Sequence, residues 1–383
     1  MFNTSIIEIS RSALESNLKF IRKTLGKKLT ISSVIKGNAY GHSIEAFVPI
    51  AEKCGQEHFS VYSADEALRV KEIASNGPTV MIMGMIDNDE IGWAIENDIE
   101  FFVFDSSRLE ATIKASKRIK KKAKIHLEIE TGMNRTGFNQ QQLESELDNI
   151  KSNFDFISIE GLCTHYAGAE SIANYLRVKE QIKLYTKTNK WLLENGVVPK
   201  TCHTACSAAA MRYPNTRMDM ARIGILQYGF WPSDETLINY LSNKEDKTDP
   251  LQRVITWKSR VMSTKEVKTG EFIGYGTTYL AHKKLKIATI PVGYAHGFSR
   301  SLSNMGRVLI HGKRVGVVGI VNMNLMTVDV TDIPDIKKGD EVVLIGHQGD
   351  LSISVASFSE LSNQLNYELL TRLPQRIPRV ISN

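Results

Sequence analysis

Apolar runs of four to nine residues alternate with amphipathic stretches up to about Trp231. The runs are Leu29–Ile35, His58–Ser63, Pro78–Gly84, Ile99–Asp105, Lys124–Glu130, Ser158–Tyr166, Lys200–Ala205 and Asp219–Leu226. They are rich in branched and aromatic residues, as strands buried on both faces are. The stretches between them have helical spacing. Ser43–Gly55 ends in a glycine suited to the position after a helix. Ser63–Gly77 opens with Ser63 and, three residues on, Glu66, which predicts a capping box. Ser171–Gly196 is a longer helix ending at Asn195-Gly196. Eight strand–helix alternations predict a (β/α)8 TIM barrel, an α/β architecture, over residues 1–235.

Past about Asp249 the period changes from helical to two, and glycine-rich turns separate the segments. Residues 236–383 therefore read as a second, mostly antiparallel β domain. Ser5–Ser10 alternates in the same way and has no helix before it. Residues 1–11 can pair with that later domain.

Composition narrows the class. The chain is 42% hydrophobic and 23% charged, with net charge +6. That is ordinary for a globular protein and too weak a field to point to nucleic acid. The densest basic run, Lys117–Lys124, reads as a solvated helix face. No apolar run approaches the ~18 residues that span a bilayer, and the N-terminal segment lacks a secretory pattern, so a cytoplasmic location without membrane partners is expected. Cys54, Cys163, Cys202 and Cys206 form no CxxC pair and read as reduced thiols. Cys202, His203 and Cys206 are close together, but no fourth ligand has a zinc spacing, and no metal is expected. His203 reads as a packing or supporting residue.

In such a barrel the active site gathers at the carboxyl ends of the strands. Lys36 follows the first strand, Arg135 the fifth, and His165 ends the sixth. His203 and Ser207 come with the seventh, Arg222 and Gly224 with the eighth. Unrelated segments thus deliver a lysine, arginines, histidines and a serine to one rim.

"SVIKGNAYGH", from Ser33 to His42, resembles the pyridoxal-phosphate lysine motif of the alanine racemases, the fold-type III enzymes. "ETGMNRTGF", "THYAGAE", "HTACSAA", "ARIGILQYG", "GYGTTY", "PVGYAHG" and "NYELL" followed by "RIPR" resemble that family's blocks in its order. The likeness covers nearly the whole chain. It implies pyridoxal 5'-phosphate as cofactor, in a Schiff base with Lys36, and alanine racemisation supplying D-alanine for peptidoglycan. A lysine of that kind must shed its proton to attack an aldehyde, and burial at the barrel mouth favours this. Gly37 and Ala39 leave room for the ring.

The same resemblance implies the other roles. Tyr40 reaches the cofactor phosphate. Ser207, with the backbone of Gly224 and Ile225, cradles it, assisted by Tyr367. Arg222 meets the pyridine nitrogen, where a permanent guanidinium charge opposes a second positive charge and limits side reactions. Lys36 and Tyr275 are the two bases, one on each face of Cα. A phenol ordinarily titrates near ~10, so His165 and Arg222 would assist. Arg135 holds the cofactor phenol oxygen or the substrate carboxylate, and Met323 offers its backbone N–H to that carboxylate. Tyr294 lines the entrance. Tyr275 and Met323 come from the partner chain, so a homodimer with shared sites is expected.

Four positions depart from the family pattern. Glu128 stands where many relatives carry a carbamylated lysine, or an asparagine beside chloride. Cys206 replaces an asparagine, Asn324 an aspartate, and His296 the aspartate of "GYADG". Cys206 and Asn324 are similar to the broad-specificity amino-acid racemases, which keeps that alternative open. A non-catalytic cofactor-binding barrel lacks the second domain. A fold-type III decarboxylase favours an acid where Arg222 stands.

Overall fold

Near-continuous apolar runs cannot leave a face to water, and their strands are closed in on both sides. The computed structural model describes residues 3–242, 244–355, 357–358 and 366–383, without the side chains of Asn366 and Tyr367. It divides into two compact units. One comprises Ala13–Ala39 and Phe47–Gln252; the other comprises Met1–Ser12, Tyr40–Ala46 and Arg253–Asn383.

The larger unit holds eight parallel strands: β2 (Thr30–Val34), β3 (His58–Val61), β4 (Thr79–Ile82), β5 (Glu100–Val103), β6 (Ala123–Glu128), β7 (Ile157–Cys163), β8 (Thr201–His203) and β9 (Met220–Ile223). Their order is β8-β7-β6-β5-β4-β3-β2-β9. Two backbone bonds close the seam between the outer pair, from Asp219 N to Cys202 O (3.1 Å) and from Arg222 N to Ala205 O (2.9 Å). Every residue of β3 and β9 is buried, as parallel strands under helices must be. All eight predicted strands are present, most trimmed at their ends, and the trimmed carboxyl ends are where the candidate residues lie.

Two local expectations need correction. Ser63 makes no side-chain cap to the helix Ala64–Ile73. Glu66 is committed elsewhere, accepting from the backbone N–H groups of Asn38 (3.0 Å) and Tyr62 (2.9 Å). The basic run from Lys117 is not one helix face. The helix Ser106–Ile119 stops at a left-handed Lys120, φ 59°, and β6 begins at Ala123. Lys117 and Arg118 sit in its last turn, where the helix dipole favours cations.

In the other unit, β1 (Ser5–Ser10) lies between β10 (Ile255–Arg260) and β18 (Arg379–Ser382), antiparallel to the first and parallel to the second. Its seven-stranded sheet continues through β16 (Glu341–Gln348), β13 (Arg307–Ile310) and β14 (Lys313–Gly316), with β17 (Leu351–Ile353) paired to β16. A three-stranded antiparallel sheet joins β11 (Ser263–Val267), β12 (Leu285–Ile290) and β15 (Met326–Asp329). Trp257 is fully buried and packs on Phe298, which meets Phe358 edge to face. Burying a side chain of that kind stabilises by about 3 kcal/mol.

Candidate active site

β2 hands the chain to Lys36 through Ile35. The carbonyl of Val34 accepts from Gln227 Nε2 (2.9 Å) and Tyr228 Oη (3.0 Å), which pins the strand end. Then the backbone turns left-handed. Gly37, Asn38, Ala39 and Tyr40 have φ of 63°, 55°, 53° and 51°. Three of these carry a Cβ, so the conformation is unfavourable by roughly 1 kcal/mol at each. It is held from the helix Ala64–Ile73. Glu66 accepts the Asn38 N–H, and Arg69 Nη2 donates to Asn38 Oδ1 (2.6 Å).

The Lys36 side chain keeps accessible surface at the mouth. Protein atoms nonetheless crowd its ammonium, and that desolvation lowers its pKa, helped by the positive charges of Arg135 and Arg222 against the pull of Glu66. A neutral amine is the form that attacks carbonyl carbon. His165 is pushed down to about 3 by burial and by Arg222, Arg135 and Lys36, and is a neutral imidazole. Beside it, burial pushes the Tyr166 phenol up to about 12.

Arg222, only 5% exposed, is held by four contacts. Its Nη1 donates to His203 Nδ1 and to His203 O (2.7 Å), and its Nη2 to Thr164 O (2.7 Å) and Thr204 O (3.5 Å). His203 is therefore a hydrogen-bonding support for Arg222. Ser207 Oγ accepts from Gly224 N (2.9 Å), and Ile225 follows at the start of a short turn. One hydroxyl and the adjoining backbone amide thus stand together.

Arg135 stems from a loop wrapped around a carboxylate. Although its partial burial works the other way, Glu130 is held below the ordinary carboxylate range by the backbone N–H groups of Gly132, Asn134, Arg135 and Met133. Glu128, 4% exposed, is pushed up by burial, against a Thr136 hydrogen bond and the charges of Arg135 and Arg222.

Lys36, Arg135, His165, Ser207, Arg222, Gly224 and Ile225 all belong to the eight-stranded unit. Tyr40, Tyr275, Met323 and Tyr367 belong to the other. Tyr40 is half-buried, and its carbonyl lies 3.0 Å from His42 Nδ1. The Tyr367 side chain lies outside the described residues; its backbone is in the helix Asn366–Arg372. Tyr275 is 74% exposed and Met323 57%. Both line a hollow of about 550 Å³ with Tyr294, Arg300, Asn322 and Asn324. Backbone bonds from Tyr294 N to Asn322 O (3.0 Å) and from Ala295 N to Met323 O (2.9 Å) fix its wall. His296 is buried, and its Nδ1 accepts from Gly293 N (3.3 Å).

Sequence reasoning missed Arg69, Glu100, His126 and Glu130, and gave Glu66 a capping role in place of the one it has. Glu100 and His126 carried a signal, being polar residues inside apolar runs. The contact of Glu66 with Asn38 carried none, because the two lie 28 residues apart. Among the described residues no cluster of three or more metal-ligating side chains occurs, and no helix is long and apolar enough to cross a membrane.

A parallel barrel with a lysine of lowered pKa at its mouth, joined in one chain to an antiparallel β unit, defines the class of fold-type III pyridoxal-phosphate enzymes. The alanine racemase N-terminal domain matches residues 9–232 and the C-terminal domain residues 254–381. The chain belongs to the alanine racemase family. It is 34% identical to an alanine racemase of Leptospira interrogans over 99% of this chain and 96% of that protein. A Bacillus anthracis alanine racemase solved with bound L-Ala-P superposes with a TM-score of 0.91 at 31% identity, covering 100% of this chain and 96% of the other. The fold is shared with a Bartonella henselae alanine racemase holding covalently bound pyridoxal phosphate, with a TM-score of 0.85, 24% identity and full coverage of both chains.

Proposed function

We propose that the chain interconverts L- and D-alanine as a cytoplasmic homodimer, with pyridoxal 5'-phosphate bound to Lys36. The product D-alanine would serve peptidoglycan synthesis. The observation that carries this reading is Lys36 itself: an amine at the barrel mouth whose proton is disfavoured by desolvation and by Arg135 and Arg222. The donor set suits the cofactor. The Ser207 hydroxyl and the N–H groups of Gly224 and Ile225 would hold a phosphate, with Tyr40 and Tyr367 assisting. Arg222 would donate to the ring nitrogen. When bound, the cofactor supplies the electron-withdrawing system that acidifies Cα.

The chain's own groups do the rest. Lys36 Nζ, whose proton is disfavoured by its surroundings, takes or returns a proton on one face of Cα. Tyr275 Oη of the partner subunit serves the other face. Arg222 is a donor without acceptor capacity and keeps its charge, so it holds no proton for exchange. His165, neutral across the working range, accepts from a phenol instead of repelling the cations around it. Arg135 and the Met323 N–H orient the carboxylate end.

The test is deuterium incorporation at Cα in D2O, with L-Ala, L-Ser, L-Lys and L-Arg offered separately to the cofactor-loaded protein. Rapid exchange and racemisation of alanine, with the long side chains nearly inert, is the expected result. No racemisation of any of them overturns the proposal. Comparable rates on lysine or arginine shift the reading to a broad-specificity racemase. Asn324 motivates that second reading, because it lines the hollow beside Tyr275 and Met323.

A further inference from the structure

Arg222 is the end of a longer chain. His203 Nε2 lies 2.8 Å from His126 Nδ1, and His126 Nε2 lies 2.8 Å from Glu100 Oε2. His58 Nε2 stands a further 3.7 Å from the same carboxylate oxygen. Arg222, His203 and His126 are buried, and Glu100 nearly so. Glu100 opens β5, His126 lies within β6, His203 ends β8 and Arg222 is in β9. The chain therefore begins near the amino ends of the strands and finishes near the mouth.

Its direction is forced. A guanidinium has only donors, so His203 Nδ1 must accept. The neutral ring then carries its proton on Nε2 and donates to His126 Nδ1. His126 must in turn carry its proton on Nε2 and donate to Glu100, a carboxylate that only accepts. Donors all point one way, from Arg222 to Glu100. Desolvation lowers the pKa of both imidazoles, which keeps them neutral as this order requires. Against its own burial, Glu100 is held far below the usual carboxylate range by His126 and His58, and stays charged.

The backbone is built to let the two rings meet. They stand on β6 and β8, and β7 runs between them. The β6–β7 register slips after Ile125: Ile125 faces Ile159, but His126 faces Gly161, so Glu160 is skipped. A Cβ on Gly161 would lie 2.1 Å from His126 Nδ1 and 2.7 Å from His203 Nε2. The bulge thus puts at this point the one residue type that leaves the space open. Phe102 closes the side, its ring centroid 6.0 Å from that of His126 and 5.9 Å from that of His203.

We infer that Glu100, His126 and His203 are positioning residues for Arg222, a one-directional hydrogen-bond chain that fixes the guanidinium and polarises it from the far end of the barrel. Each link strengthens the next in a low-dielectric interior. This inference rests on the proposed function only for what Arg222 faces; the chain itself stands on its geometry.

The test uses the full-length protein labelled with 15N at histidine and arginine, with and without pyridoxal 5'-phosphate. In the wild type, His126 and His203 are both expected as neutral Nε2–H tautomers with exchange-protected signals. E100Q keeps the shape and an acceptor but removes the charge. It should shift the signals of His126, His203 and Arg222 together. In the loaded enzyme it should also move the cofactor's absorption band and lower kcat about tenfold, with KM for alanine little changed. E100D should restore part of both. An Nδ1–H tautomer at either histidine overturns the inference without any variant. So does an E100Q protein whose His203 and Arg222 signals, absorption band and kcat match the wild type, as packing alone would predict. A wild-type protein that binds the cofactor yet racemises nothing sinks the proposed function, while the tautomers still decide the chain.

Discussion

His165 shows how one side chain reports on its surroundings. Its folded-state pKa is about 3 against an ordinary 6.5. Between those values the unfolded chain binds a proton that the folded chain refuses, so stability falls as pH drops from 6.5 towards 3. His126 and His203 are depressed in the same sense. Glu100, also depressed, adds stability above the unfolded carboxylate pKa that is lost at still lower pH. All four push one way, by up to about 1.4 kcal/mol per pH unit for each group inside its window. Thermal midpoints should therefore drop steeply from about pH 6.5 downwards, and H165N should make the slope shallower. A midpoint flat through that range would mean these histidines are not buried as described. The placement of Lys36, Arg222 and Ser207 at or beside strand ends was legible because short motifs carry them. Glu100 and His126 were visible only as polar interruptions, since which strand neighbours they meet depends on a bulge the sequence does not announce.

At the scale of elements, the helix Ala64–Ile73 does more than cover the barrel. Its Glu66 and Arg69, one turn apart, hold the left-handed residues after Lys36. The Ser63–Glu66 spacing predicted a capping box because local pattern favours local partners. The carboxylate bonds a distant loop instead, and no spacing rule sees across 28 residues. E66A should remove the acceptor of two backbone N–H groups, at about 1–3 kcal/mol. It should also weaken cofactor capture by Lys36, while E66Q should lose less of both. Denaturant titration and cofactor titration measure the two. Unchanged cofactor affinity in a destabilised E66A protein would show that the turn holds its form without the helix. The eight strands themselves were read correctly, because runs buried on both faces leave a strong apolar signal.

For the whole molecule, the proposed dimer makes a quantitative demand. K36A and Y275A should each be inactive. Mixed and re-formed in equal amounts, half the dimers would be hybrids, each with one intact site and one lacking both bases. About one quarter of wild-type activity should return. No recovery, with subunit exchange demonstrated, would place both bases on one chain. The smaller unit's long β sheet has a further implication for how the protein is made. β1 precedes the barrel in chain order, and it is sandwiched between β10 and β18, which both follow the barrel. Until Arg379–Ser382 emerges, one edge of β1 has nothing to pair with, while the eight parallel strands are complete by Ile223. Synthesis from the N-terminus lets the barrel's sheet assemble first. The unit bearing Tyr275 completes its sheet only when β18 joins β1, so the two ends of that sheet must find each other across a span that holds the entire barrel, and its closure follows the barrel's assembly.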